Sequence, residues 1–381
     1  MIPNTAYFSS TLLMFILVPV IIFISRKFQL LDQPGQRKIH INYIPRLGGV
    51  AMFLSIGVSL WIAHKLQWID FGSSFWPPIF GGSLCAFMLG LWDDLKNIPA
   101  KKKLVFQIFL GLLAFGLGFR IDEIQVGLGH PLHFGSFSPF ITVFWIVMIM
   151  NAFNMIDGLD GLATGYAALV FSALSILGYL NGSDNVMVLS FVCAGACYGF
   201  LFFNYHPAKI FMGDCGSMMF GYILSILTLS SGLENVTVNI LTPFFLLAFP
   251  LIDLFTTILR RIINAKTSEK GISYLGAIRR TFEADGNHIH HRLLKLGFSQ
   301  RKITAMIYAF TIASCGLGLV SIYFSFGLIF FLFIFYGWFT VQIIRLLDYE
   351  EFVTGAHRNR KREFEEKRKL STAPSLIKKV L

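Results

Sequence analysis

The acidic residues of this chain are few and grouped, and their spacing suggests chemistry before any fold is considered. Asp93 and Asp94 stand together in LWDDLKNIPAKKKLVFQ, residues 91–107. Adjacent carboxylates raise one another's pKa unless a cation neutralises them. Here a turn at Asn97-Ile98-Pro99 is followed by Lys101, Lys102 and Lys103; alone, the motif also reads as a solvated loop. A second group lies in NAFNMIDGLDGLATG, residues 151–165, where Asn151, Asn154, Asp157 and Asp160 recur every three residues. On a helix end they form one polar ridge, and Gly158 and Gly161 let the backbone bend or approach a ligand. Packing does not explain such polarity at the end of an apolar run. A third group, FNYHPAKIFMGDCGSMMFGY, residues 203–222, sets Asp214 and Ser217 just before an apolar stretch. The amides and dipole of a helix start can receive an anion there, or Ser217 acts as a plain N-cap. The fourth, ADGNHIHHRLLKLGFSQRK, residues 284–302, clusters His288, His290, His291 and Arg292. Zinc, phosphate binding and a structural loop all fit it. The lack of a nearby Cys and of the helical HExxH spacing favours phosphate over zinc.

Long apolar stretches must position these groups. Of 381 residues, 55% are hydrophobic and 14% charged, against roughly 25% charged in a soluble domain. Apolar runs at 7–25, 48–66, 76–92, 104–119, 138–156, 162–180, 187–203, 217–232, 238–260, 303–323 and 326–346 predict an all-α polytopic membrane protein of about eleven spans. The first run lacks a basic flank and reads as a true span, not a cleavable signal. With the N-terminus outside and the C-terminus inside, nearly all Lys and Arg fall on inner segments, and only Lys65 and Arg120 fall outside. The net charge of +11 thus follows topology, which argues against nucleic acid as a partner. All the acidic groups then lie at inner helix ends. Carboxylates there call for a counter-ion, and magnesium bound to a pyrophosphate substrate suits hard oxygen ligands, with manganese as a substitute. Residues 1–346 form the expected catalytic domain, with inner loops 26–47, 93–103, 157–161, 204–217 and 261–302. Residues 347–381 form a charged tail of both signs. A small external hairpin is expected near 120–136. Cys193 and Cys197, at helical spacing, read as buried packing residues, and the five cysteines imply no disulfide framework.

Together the four motifs resemble the polyprenyl-phosphate N-acetylhexosamine-1-phosphate transferases, from RKIHINYIPRLGG (37–49) to HIHHRLLKLG (288–297). Where the branch that transfers phospho-muramoyl-pentapeptide has three histidines, this chain has His290-His291-Arg292. That, with the PRLGG of 45–49, is similar to the WecA/TagO branch, which uses UDP-N-acetylglucosamine and undecaprenyl phosphate. The resemblance implies that Asp93 and Asp94 sit near the lipid phosphate and metal, and that Lys103 contacts phosphates. It implies that Asn154 and Asp214 hold magnesium on the pyrophosphate, with Asp157 and Asp160 near nucleotide and metal. Asn204 and Phe211 correspond to a uracil-binding pair. The histidine loop closes over sugar and phosphates, with Arg260 and Arg261 at its base, and Arg46 and Ser217 complete the substrate-binding set. The implied setting is the inner membrane, with the site on its cytoplasmic face and a homodimer compatible. The rival class is a transporter, but transporters place charged sites at mid-bilayer, and here the acids gather at one face.

Overall fold

The computed structural model describes residues 2–32, 43–124, 131–230, 241–268, 288–324 and 326–346. The tail beyond 346, the stretch 33–42 and nearly half of the loop 261–302, from 269 to 287, lie outside these. The chain divides into two compact units, 1–255 with 285–331, and 256–284 with 332–381.

The first unit is helical. In order it carries α1 (Ile2–Lys27), the short strands β1 (Leu31–Asp32) and β2 (Ile44–Pro45), α2 (Gly48–Lys65), α3 (Trp76–Lys96), α4 (Ala100–Gly116), β3 (Glu123–Ile124), β4 (Leu132–His133), α5 (Ser138–Ile156), α6 (Leu162–Leu180), α7 (Asp184–Asn204), α8 (Gly213–Ser230) and α9 (Leu241–Leu246). There follow the first part of α10 (Ala248–Ser268), then α11 (Ile289–Lys295), α12 (Gln300–Val320) and the start of α13 (Phe326–Leu346). The second unit holds the remainder of α10 and most of α13. Six helices among the described residues are long and apolar enough to cross a membrane: those over 5–27, 48–65, 135–156, 162–180, 184–204 and 300–320. The chain is thus helical and polytopic. The antiparallel pairing of β3 with β4, Glu123 opposite His133, supplies the expected hairpin.

The boundaries differ from the sequence reading where charge is satisfied internally. α3 does not stop at 92 but runs on through Asp93 and Asp94 to Lys96. It ends where Asn97 adopts a left-handed conformation, φ 50°, two residues before Pro99, which opens α4. α8 begins at Gly213, not 217, so Ser217 lies inside the helix and is not its N-cap. The apolar run 238–260 is not one helix. α9 ends at Leu246 and α10 starts at Ala248, because Pro250 has no amide to offer the Leu246 carbonyl.

α8 is the packing centre of the first unit. It contacts α2, α3, α5, α6 and α9, and Phe220, Leu224 and Leu227 on it are fully buried. Apolar lipid gives helices little hydrophobic reason to associate, so small residues and interhelical hydrogen bonds hold them. Ser10 on α1 donates to the Val192 carbonyl on α7 at 2.8 Å, and Ser55 on α2 donates to the Ser10 carbonyl at 2.8 Å. The opposite face of α1 turns Phe8, Leu12, Ile16 and Phe23 outward, as a lipid-facing surface requires. At the α3–α8 crossing a Cβ on Gly90 would strike the Asp214 carbonyl and come within 2.5 Å of the Cys215 Cα. Gly49 on α2 meets the Gly216 amide in the same way. Only glycine permits these approaches, and both press on the first turn of α8.

Gly90→Ala should therefore part α3 from α8 and destabilise the protein by about 1–3 kcal/mol, read as a lowered melting temperature in detergent. Gly57→Ala on α2, where a Cβ meets nothing within 4 Å, should leave it unchanged. Equal melting temperatures for the two variants would show that the crossing is not tight.

Candidate active site

A helix start leaves backbone amides without partners. At the start of α8 these are taken by Asp94, whose carboxylate accepts from the Asp214 amide at 3.0 Å and the Cys215 amide at 2.9 Å. The anion expected at this helix start is thus the protein's own side chain, brought from α3. Beside it, Asp93 accepts from the Ile98 amide at 2.6 Å and pairs with Lys103. The Lys103 ammonium also donates to Asp214 at 3.1 Å. Asp93 and Asp94 are 4% and 5% exposed, which rules out the solvated-loop reading. One lysine between two carboxylates gives the charge partner that buried acids require.

The second motif divides by position. Asn151 and Asn154 lie on the last turns of α5, which ends at Ile156, and Asp157 caps it. Asn151 donates to Gln107 at 2.7 Å and belongs to the helix packing. Asn154 accepts from the Ser217 hydroxyl at 2.7 Å, linking α5 to α8. The ridge stops there, because Asp160 falls in the turn before α6. Asp160 instead accepts from the Ala208 amide at 3.1 Å and lies 2.7 Å from the His206 Nδ1, holding the 206–208 stretch. Asn204 is 3% exposed; it donates to the Ile210 carbonyl at 2.8 Å and accepts from Thr164 at 2.7 Å. It braces the chain that carries Phe211.

These elements surround one cavity of about 350 Å³, lined among others by Asp32, Arg46, Asp94, Asn154, Asp157, Asp160, Phe211, Asp214, His291 and Gln300. Arg46 and Asp32 approach to 3.8 Å across the β1–β2 ribbon, and the Phe211 amide bonds to the Pro45 carbonyl at 2.8 Å. Asp157 faces this cavity without a hydrogen bond or ion pair from its carboxylate to any described residue. Burial, with the Asp94 charge adding, pushes its pKa up to about 7. His290 is fully buried, and burial depresses its pKa to about 3, so it is a neutral imidazole. A Cβ on Gly158 would lie 2.5 Å from its Nε2. His288 sits 3.1 Å from Asp253. His288, His290, Arg292 and Ser217 are not among the lining residues; His290 stands behind Gly158 and Ser217 behind Asn154. Lys103 and Asp93 reach it through Asp214. Arg260 and Arg261 belong to the second unit and are not among the lining residues.

Among the described residues, no three His, Cys, Asp or Glu side chains are grouped closely enough to form a ready-made metal centre. The ligand atoms around the cavity are mainly carboxylate and amide oxygens spread along its wall, and Asp157 is an acid without a partner among the described residues. That set fits an ion such as magnesium, which takes one or two protein carboxylates and completes its shell with water and substrate phosphate. It does not fit structural zinc.

Four residues escaped the sequence reading. Asp32 stood before a basic stretch and His206 inside a motif read for Asn204 and Asp214. Gln300 carried no signal. Asp253, a lone acid in an apolar run, carried one: ionisable residues in such runs are functional candidates by default.

The family description "Glycosyl transferase family 4" matches residues 76–232, which include the first three motifs. A "Probable undecaprenyl-phosphate N-acetylglucosaminyl 1-phosphate transferase" of Bacillus subtilis is 34% identical over 336 residues, 87% of this chain and 89% of that one. A "Decaprenyl-phosphate N-acetylglucosaminephosphotransferase" of Mycobacterium tuberculosis is 34% identical over 302 residues, 72% and 71% of the two chains. An "Undecaprenyl-phosphate alpha-N-acetylglucosaminyl 1-phosphate transferase" of Escherichia coli is 26% identical over 310 residues, 79% and 78%. On this similarity across nearly the whole length, and on the motifs gathered at one cavity, the chain belongs to glycosyl transferase family 4 and is a phosphoglycosyl transferase.

Proposed function

We propose that the chain transfers N-acetylglucosamine-1-phosphate from UDP-N-acetylglucosamine to undecaprenyl phosphate, releasing UMP. The observation that carries this reading is the cavity, where the unpaired Asp157 faces the Asp94–Asp214 helix start and the Lys103 knot lies behind. Names of the relatives supply the acceptor class and the sugar. His290-His291-Arg292, in place of three histidines, favours the N-acetylglucosamine donor over phospho-muramoyl-pentapeptide. The Lys and Arg distribution supports an eleven-span topology with the N-terminus outside and the site on the cytoplasmic face of the inner membrane.

In this reading an oxygen of the lipid phosphate attacks the β-phosphorus of the donor. A new P–O bond forms, the bond to the bridging oxygen breaks, and UMP leaves with the electron pair. Phosphoryl transfer depends mainly on positioning and charge neutralisation. Bound magnesium supplies charge neutralisation on the diphosphate, and Asn154, Asp157 and Asp214 are the residues to hold it. Lys103 sets Asp93 and Asp214 and adds positive charge behind the site. Phe211 offers a face for the uracil, and His291 a donor toward sugar and phosphate. A phosphate monoester has its second pKa near 6, so the attacking group is already mostly a dianion at neutral pH. Asp93, pinned by Lys103 and the Ile98 amide, thus acts by placing groups and not by removing a proton.

A panel of radiolabelled UDP-sugars with extracted lipid acceptor tests the function. Label should pass to lipid from UDP-N-acetylglucosamine with release of UMP; labelled lipid from another donor alone would overturn the assignment of the sugar. Asp93→Asn should remain at least about 100-fold slow at every pH from 6 to 9, whereas recovery at high pH would restore a base role. Asp157, protonated below about pH 7, must lose its proton to bind a cation. Apparent magnesium affinity, read by calorimetry, should weaken about fivefold from pH 7 to pH 6. Asp157→Asn should remove that dependence, and a pH-independent wild-type affinity would contradict the assignment.

A further inference from the structure

Asp253 stands alone in the apolar stretch AFPLIDLFTTIL, residues 248–259, and is fully buried. It does not line the cavity. An ionised side chain in such surroundings is costly unless several donors meet it. Both oxygens of Asp253 face the start of α11, about 36 residues on in sequence. Its Oδ1 accepts from the Ile289 amide at 2.8 Å, and its Oδ2 lies 3.1 Å from the His288 Nδ1. His288 is the N-cap residue of α11, and its side chain makes no capping hydrogen bond. The helix start that a nearby Ser or Asp would ordinarily satisfy is therefore met by an acid from another helix.

The placement of α11 matters because of what it presents. The rings of His288 and His290 stack with centroids 5.8 Å apart. His290 is wedged against Gly158, next to Asp157. His291, one residue on, opens onto the cavity. A seven-residue helix has little stability of its own, so its position depends on what it is tied to. Ile289 and Leu293 anchor one face of it by burial, but a seven-residue helix needs its first turn held as well. The carboxylate bond to the Ile289 amide ties that first turn to α10.

We propose that Asp253 is a positioning residue for phosphoglycosyl transfer: it caps α11 and orients His288, and so sets His290 against the Asp157 turn and His291 into the cavity. The kinetic consequence rests on the transferase reading above, but the placement of α11 does not.

The test uses the full-length protein in detergent. Asp253→Ala and the near-isosteric Asp253→Asn remove the charge. Ile289→Pro removes the amide from the other side while leaving Asp253 in place, and Ile289→Ala, which loses the buried side chain but keeps the amide, should leave His290 protected. Proline is tolerated at the first helical position, and His288, with φ −65° and ψ 162°, already has the backbone that precedes proline. Diethyl pyrocarbonate modification, mapped by tandem mass spectrometry, should leave His290 unmodified and His291 modified in the wild type. In Asp253→Ala and Ile289→Pro, His290 should become reactive. In the same variants kcat should fall roughly 10- to 100-fold while UMP affinity stays within about twofold, with Asp253→Asn between them and the wild type. If Asp253→Ala does not fold, Ile289→Pro and Asp253→Asn carry the decision. His290 remaining protected in Ile289→Pro, or kcat and UMP affinity falling together, would overturn the proposal. Absence of UMP release by the wild type would remove the transferase reading but leave the footprint decisive for α11.

Discussion

The bond between the Asp94 carboxylate and the first two amides of α8 is the constraint on which the site depends. It joins the end of one apolar helix to the start of another, 120 residues along the chain. It satisfies unpaired amides and a buried charge together, two groups that are each costly alone. It also fixes Asp214, because the residue whose amide donates to Asp94 is the one whose carboxylate meets Lys103. Glycines at the crossing let the backbones come close enough for this contact. Without it, Asp93, Lys103 and Asp214 would have no common frame.

The same economy of donors recurs around the cavity. Asp160 holds His206 and the Ala208 amide, Asn204 bridges Thr164 and the Ile210 carbonyl, and Asp253 caps α11. In each case a polar side chain does structural work, Asp160 from the lining itself and Asn204 and Asp253 from outside it. What remains open toward the cavity is Asp157, with Asn154, Phe211 and His291 around it. A site of this kind keeps one acid without a partner and partners the rest. That is an arrangement suited to an incoming cation and its diphosphate.

Much of this was legible in the chain. The helices over 48–65, 138–156, 162–180 and 184–204 follow the apolar runs closely, since bilayer thickness sets their length. The grouping of Asp94, Asp157, Asp160 and Asp214 followed from their places at the ends of apolar runs that alternate in direction. The division of labour among them was not legible. Spacing by threes linked Asp160 to Asn154, but the helix ends at Ile156, and Asp160 turns to His206. Ser217 was open to reading as a cap as well as a substrate contact, because Asp94, which meets these amides, lies far away in sequence. Motif reading weighs local neighbours, whereas these bonds cross between helices. Asp253 was missed for the same reason: no neighbour in its run explains it.

The central claim is that segments far apart in sequence meet in one cavity to hold a cation-bound diphosphate. An electron cryomicroscopy map of the protein with UDP-N-acetylglucosamine and magnesium tests it most directly. The account predicts diphosphate density between Asp157 and the start of α8, with the uracil against Phe211. Nucleotide density lying outside the space bounded by Asp94, Asp157 and Asp214 would contradict it.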